Sequence, residues 1–479
     1  MSRRRVFWLV FCVLFFSYAY FLPVQGSYNI NSRLALTFAM VEEGRLTIDS
    51  YRDRPDLVTR DTAFFEGHYY SDKAPGASFL AALVYWPLYQ LTQRLDISLP
   101  LWLLTWIISL GTIGLLSALA GAWLYAFGER LTGDRPHAYL VALVLGLGTG
   151  IFPFSTVFFG HAMGAVFLLF AWLMSMNLAQ APERAGALRP FLIGLMLGLV
   201  LVTEFQAALL ALPVGVYYLS VVASLLRSRA RQLLAAPLVG GLIPIMLLLA
   251  YNVACFERPF VNAYQYFERE SIRAQIAQGF MGISWPNARV WVYLTLHPVR
   301  GLFTQSPVLL AAVAGIWHMW RLGVWRREAL VCAWAFAAMP IVMSGFYDWS
   351  GSASCGARSL IPMLPLLAVA LLYVPKRWDA LLLVLAFVSI FQMVVLTAYS
   401  PISGLFILAE DWQAHWISWT ASPLRDALAG LAHRQYRDNL GTVLGLSGSV
   451  SLFVWSVLVI AVSVIVCRTS KVRGGNVNG

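Results

Sequence analysis

Charge is what this sequence has least of: charged residues fill only 12% of its 479 positions, and just 23 of them are Asp or Glu. A water-soluble domain carries about 25% charged residues, so a chain with 59% hydrophobic residues and a mean hydropathy of +0.70 is not solvated by water over most of its length. Cysteine is scarce too, at five residues (Cys12, Cys255, Cys332, Cys355, Cys467) without a CxxC or HxxxH spacing. That excludes a disulfide scaffold and a readable zinc site. No GxxxxGK[ST] or GxGxxG loop is present, which leaves direct use of ATP or a dinucleotide unsupported. Inverted repeats and low-complexity segments are also missing. The net charge of +11 lies in short basic clusters between apolar runs, the pattern of topology signals and not of nucleic-acid binding.

What is present is a succession of apolar runs long enough to cross a bilayer core of about 30 Å. They fall near 6–22, 102–127, 138–158, 162–178, 191–203, 206–226, 233–252, 307–320, 329–345, 359–374, 380–399 and 447–467. The fold class expected is therefore all-α, a polytopic membrane protein of about twelve transmembrane helices forming one integral domain over 1–479. With Arg3, Arg4 and Arg5 inside, the short connections 128–137, 179–190, 227–232, 321–328 and 375–379 and the tail after Cys467 are cytoplasmic and basic. The long loops 23–101, 253–306, 346–358 and 400–446 then lie outside. This parity makes 77–91 a juxtamembrane or re-entrant helix, because a further crossing there would place Arg227, Arg229 and Arg231 outside. Met1 to Gly26 also has the layout of a signal peptide, with a basic start, an apolar centre and small residues near Gly26.

Nearly all the polar chemistry is in the outer loops. In the first, Asn31 or Ser32 is a candidate cap, Leu34, Phe38 and Val41 recur at helical spacing, and Gly44 supplies a stop. The spacing predicts an amphipathic helix on the membrane surface. Asp49, Asp53 and Asp56 follow in a turn-rich stretch and read as solvated. The run GHYYSDKAPG from Gly67 to Gly76 then enters the apolar helix 77–91. An isolated Lys at the headgroup level usually just snorkels, but Lys73 is surrounded by Tyr69, Tyr70, Asp72, Pro75 and two glycines.

A surface helix with a leading Arg, a Glu-Gly pair and a Gly-x-Tyr-Tyr-x-Asp-Lys-x-Pro run before an apolar helix resembles the GT-C superfamily. These are membrane glycosyltransferases that use polyprenyl-phosphate sugars, among them protein O-mannosyltransferases and the aminoarabinose transferase of lipid A. The resemblance implies that Asp72, Lys73 and Pro75 match an acidic-Lys-Pro motif whose Lys holds the lipid phosphate. Two departures stand out. Ala74 separates Lys73 from Pro75, and Ile30, Asn31, Ser32 and Arg33 stand where relatives carry an acidic pair before the Arg. PVRGLFTQSPVLL (298–310) and YDWSGSASCGARSLIPMLP (347–365) resemble loops of bacterial members more weakly.

The activity so implied is an inverting transfer of a sugar from a polyprenyl-phosphate donor to an extracytoplasmic glycan, lipid or protein acceptor, in a bacterial inner membrane. No nucleic-acid partner is expected. A flippase or transporter, or a polymerase or ligase for lipid-linked saccharides, is the alternative. Such transfer needs a base and cations for the departing phosphate. Asp61 and Asp72 are the candidate bases, Asp61 being favoured because Asp72 adjoins Lys73. Arg33, Arg300 and Arg358 join Lys73 as candidate phosphate ligands. Glu204 interrupts two apolar runs, where an unpaired carboxylate is costly and so points to function. His161 ends a span on the same side, although a packed, hydrogen-bonded His is the commoner case. A divalent cation on His68, His161, Asp61 and Asp72 is an open alternative that no spacing supports. Trp412, Trp416 and Trp419 recur at helical spacing as an interfacial belt.

The charge asymmetry makes a direct prediction. Cysteines introduced at Arg326 and Arg289 should be labelled by impermeant reagent from opposite sides of the membrane, Arg289→Cys from outside. Labelling of both from one side would discard the topology.

Overall fold

The structure is a computed structural model that describes residues 1–24, 26–181, 186–224, 230–403 and 417–474. Each of the twelve expected runs is helical, and the chain is an all-α bundle apart from one hairpin and isolated bridges among the described residues. Six helices there are long and apolar enough to cross a membrane: Leu101–Thr132, Gly160–Gln180, Phe205–Ala223, Gln232–Phe256, Lys376–Tyr399 and Gly448–Arg468. The other runs are shorter or carry charge at an end. Arg135–Leu147, Leu188–Thr203 and Arg358–Leu371 are short apolar helices, while Arg3–Tyr20 and Arg326–Met343 open on arginines. The Gly76–Leu95 helix is not among the six.

Burial sorts these helices by depth. Gly160–Gln180 has 89% of its span covered by the rest of the protein and forms the axis of the bundle, whereas Gln232–Phe256 and Gly448–Arg468 have 17% covered and turn their apolar faces outward. Leu238, Met246, Phe453 and Ile460 are accordingly exposed. An apolar exterior of this kind suits hydrocarbon as solvent.

The helix expected in the first loop is present, with two corrections. It runs Tyr28–Phe38 with Ser27 at the cap position, one turn before Asn31 or Ser32, and continues as a π-helical turn, Ala39–Glu43. It is also not a surface helix with a free polar face. Ile30 through Ala39 are all buried, because the Gly76–Leu95 helix and the hairpin pack over the polar side. Gly44 stops it as expected, in the left-handed region at φ 65°.

The hairpin was not anticipated. Strands β1 (Thr62–Phe65) and β2 (His68–Ser71) pair antiparallel, and Phe65 and His68 close a two-residue turn whose central residues, Glu66 (φ 48°) and Gly67 (φ 86°), are both left-handed. That is the turn geometry whose twist suits two adjoining strands. Asp53 and Asp56, expected as freely solvated, instead pair with Arg52, Arg60 and Arg54 at 2.6–2.7 Å on the surface.

Three of the expected inner segments, the N-terminus, 128–137 and 375–379, meet one another. Buried Glu129 accepts from Arg3 (3.0 Å), Arg135 (2.9 Å) and the Tyr125 hydroxyl (2.8 Å), and Lys376 lies 3.2 Å from Asp134. The candidate site residues gather elsewhere. Removing one member of a buried ion pair leaves the other uncompensated. Glu129→Ala should therefore lower unfolding stability by about 3 kcal/mol, read as a fall in thermal midpoint in detergent. An unchanged midpoint would mean that Glu129 is not the tie between these segments.

Candidate active site

The hairpin delivers Lys73. Its second strand ends at Ser71, whose Oγ lies 2.8 Å from Ser32 Oγ on the Tyr28–Phe38 helix, and the Lys73 amide donates back to Ser71 Oγ at 3.3 Å. Tyr69 and Tyr70 serve this placement and do not reach the cavity described below. Tyr69 lies under the Arg52 guanidinium at 4.0 Å, and Tyr70 packs on Phe256 at 5.3 Å.

The ammonium of Lys73 sits between two carboxylates, 2.8 Å from Asp61 Oδ2 and 2.8 Å from Asp72 Oδ2. Asp72 is completely enclosed, while the Asp61 side chain is 18% exposed. Burial dominates at Asp72 and pushes its carboxyl up despite the neighbouring cation. At Asp61 burial acts in the same sense, but the charge and hydrogen bond of Lys73 outweigh it and hold the carboxyl below the usual range. For Lys73, burial alone would favour the neutral amine, and the two carboxylates reverse that and raise its pKa.

A second cation, Arg33, lies on the Tyr28–Phe38 helix. It is buried, its Nη1 donates to the Asn29 carbonyl (3.2 Å) and to Asn29 Oδ1, and its Nε has no partner. The third, Arg358, enters from the 346–358 loop and donates from Nη2 to Asp348 Oδ2 at 2.7 Å. Arg33 and Arg358 both approach the ring of Phe159, with guanidinium carbons 6.0 and 5.8 Å from its centroid.

Arg300 was expected beside them and is not there. It is fully buried, and its guanidinium donates to the carbonyls of Ser352, Ser354 and Gly356, the last at 3.1 Å. Burial pushes its pKa down to about 9. Arg300 thus ties together the loop that presents Arg358.

Glu204 and His161 meet where the apolar run is broken. The Leu188–Thr203 helix ends on Glu204, whose backbone is extended (φ −154°, ψ 99°), and the next helix starts at Phe205. Two glycines grip the break. A Cβ on Gly76 would lie 2.5 Å from the Val202 carbonyl oxygen, and one on Gly160 would lie 2.5 Å from that of Thr203. Only hydrogen at both positions lets three segments close this tightly, and the approach sets Glu204 Oε2 2.7 Å from His161 Nδ1.

These groups surround a cavity of about 340 Å³. Arg33, Lys73, Arg358, His161 and Glu204 form its polar part, together with Tyr264, Tyr347 and Asp348, which sequence reading missed. Burial pushes the Tyr264 phenol up to about 12, so it remains a hydroxyl donor. The other wall is apolar, with Phe205 and Leu209 on one helix and Val342, Met343 and Phe346 around the end of the Arg326–Met343 helix. Asp61 and Asp72 stand behind Lys73 and do not line the cavity. Of the missed residues, Asp348 and Tyr347 lie in the quoted 347–365 motif, whereas nothing local marks Tyr264.

Among the described residues no three His, Cys, Asp or Glu side chains come together as metal ligands. His68 pairs with Asp49 at 2.8 Å on the surface, away from the cavity. Trp419 is exposed and packs against His297 at 4.9 Å, and Trp412 and Trp416 lie outside the described residues.

No family model matches this sequence, and no curated protein matches it. Among solved structures it is similar to ArnT from Cupriavidus metallidurans in the apo state, at 15% identity over 97% of this chain and 76% of that one, with a TM-score of 0.48. It is similar also to ArnT from Cupriavidus metallidurans bound to undecaprenyl phosphate, at 16% identity over the same shares of the two chains, with a TM-score of 0.49. At these values no residue role is carried across, and the site stands on its own geometry.

The Lys73 cluster yields a pH-dependent prediction. Without the cation, burial is no longer opposed by the charge of Lys73 at either carboxyl, and Asp72, already raised, is pushed further above its unfolded value near 4, so its contribution to stability is full below that value and is lost as pH rises. Lys73→Met should therefore lose more thermal stability relative to wild type at about pH 8 than at about pH 5, and adding Asp61→Asn should recover part of it. A deficit equal at both pH values would refute the two-carboxylate account.

Proposed function

We propose that this chain is a membrane glycosyltransferase of the GT-C kind, taking a sugar from a polyprenyl-phosphate donor and passing it to an acceptor hydroxyl on the extracytoplasmic side. The observation that carries the reading is a cavity lined by three cations, Lys73 and Arg33 buried and Arg358 partly exposed, and by the apolar side chains of Phe205, Leu209, Val342, Met343 and Phe346. A lipid phosphate has the same two-part chemistry, an anion that rewards fixed cations in a water-poor site and a chain that needs an apolar exit. The match of Asp72, Lys73 and Pro75 to the family motif agrees with it.

In this reading Lys73, Arg33 and Arg358 hold the phosphate and stabilise the negative charge it gains as the sugar leaves. Tyr264 and Tyr347 line the same cavity and are further hydroxyl donors for these oxygens. Asp61 and Asp72 keep Lys73 charged and aimed, which a lone ammonium in so dry a position would not be. Asp348 orients Arg358 in the same way. A single displacement at the anomeric carbon gives inversion. The termini are cytoplasmic, and the cavity opens to the outer leaflet of the inner membrane.

The test is polyprenyl-phosphate binding and sugar transfer by the purified full chain in nanodiscs. Lys73→Ala and Arg358→Ala should each weaken lipid-phosphate binding about tenfold or more, the scale of a lost charge-assisted hydrogen bond, and lower transfer with it. Unchanged binding in both would reject the cavity as the donor site. Movement of a lipid-linked saccharide across the bilayer without transfer would instead put the chain among the transporters.

A further inference from the structure

We propose that His161, positioned by Glu204, and not Asp61 or Asp72, takes the proton from the acceptor hydroxyl, with Nε2 of His161 as the accepting atom. The inference rests on the transferase reading and names the base within that site.

A base must touch the substrate, and Asp72 is fully enclosed while Asp61 is engaged on Lys73 behind the cavity wall. The acids that do line the cavity are Glu204 and Asp348. Asp348 is bound to Arg358 at 2.7 Å, where its effect is to aim a phosphate ligand. Glu204 is instead bound to a group that can itself carry a proton, the His161 ring, which lines the same cavity.

The geometry of that pair fixes the roles. Glu204 Oε2 lies 2.7 Å from Nδ1 of His161, an ion-pair contact in which Nδ1 is not aligned as a hydrogen bond, and the negative charge of a carboxylate this close favours the tautomer with the proton on Nδ1. Nε2 is then the nitrogen with a free lone pair. The ring is also in the right place. His161, Arg33 and Arg358 line one cavity, and each also approaches the Phe159 ring, whose centroid is 6.1 Å from the His161 ring, 6.0 Å from the Arg33 guanidinium carbon and 5.8 Å from that of Arg358. A hydroxyl approaching Nε2 would therefore be next to the position assigned to the donor phosphate.

The cost of the arrangement is a further argument. A buried carboxylate at a helix break is unfavourable in an apolar bundle, and here the break is enforced by close approach of Gly76 and Gly160. The segments converge on placing one carboxylate against one imidazole.

The step balances without a co-reactant. The hydroxyl oxygen bonds to the anomeric carbon, the bond from that carbon to the phosphate oxygen breaks with its electron pair leaving on the phosphate, and the hydroxyl proton passes to Nε2. Glu204 neutralises the imidazolium until the proton returns to solvent.

Single-turnover transfer from a polyprenyl-phosphate sugar by the full chain in nanodiscs, with binding of polyprenyl phosphate measured in parallel, tests the assignment. His161→Ala should bind the lipid phosphate within about threefold of wild type and transfer about a hundredfold or more slowly, with added imidazole restoring part of the rate. Glu204→Gln, as the positioning residue, should lower kcat with little change in donor KM. His161→Asn, with its thermal midpoint checked, repeats the first measurement should the alanine variant not fold. Transfer within about threefold of wild type in a folded His161 variant would overturn the inference, as would loss of lipid-phosphate binding in step with transfer. If the wild type itself neither binds lipid phosphate nor transfers sugar, the transferase reading fails first and this one with it.

Discussion

A lysine held between two carboxylates, out of contact with bulk water, is the constraint around which the polar half of this protein is built. An ammonium in such a place keeps its charge only if compensating charge is fixed beside it. Asp61 and Asp72 flank the two strands and supply that charge from the open end of the hairpin, which brings together residues eleven positions apart in an otherwise helical chain. The hairpin in turn needs the Tyr28–Phe38 helix beneath it, and Ser32 on that helix meets both Ser71 and Asp72. Even the Gly76–Leu95 helix is tied in, since Ser78 Oγ donates to the Arg33 carbonyl at 2.9 Å.

The other cations follow the same rule with different partners. Arg358 has Asp348, Arg33 has the Asn29 side chain and carbonyl, and Arg300 has a ring of loop carbonyls. The distinction that matters is direction. Partners on one side of a charge leave its other side available to a ligand, as at Arg358 and Lys73 in the cavity wall. Arg300 is surrounded by the backbone it organises. Two arginines, each in a glycine-containing loop before an apolar run, therefore do different work.

The sequence made the helical bundle, its polar loops and the key lysine legible, because these depend on local signals: apolar run length, basic flanks, and a short motif. Gly44 was readable as a helix stop for the same reason. The hairpin was hidden because its strands are four residues each, too short for alternation to emerge from a charged stretch, although Glu66-Gly67 between aromatics was a turn signal. Burial of the first-loop helix was invisible because its polar face is covered by distant segments. Asp348, Tyr264 and the pairing of His161 with Glu204 depend on contacts between residues tens of positions apart, which no periodicity encodes. Arg300 and Arg358 looked alike because sequence gives the residue type and not the atoms it faces.

The sparsely covered Gln232–Phe256 helix has a mechanical consequence. Its 25 residues make a rod of about 37 Å, longer than a hydrocarbon core of about 30 Å, so it must tilt by an amount that the local bilayer sets. Its last residue, Phe256, stacks on Tyr266 at 5.1 Å and packs on Tyr70 at 5.3 Å, and Tyr70 is three residues before Lys73. The end of a sparsely covered helix is thus joined, through aromatic contacts, to the strand that leads into Lys73.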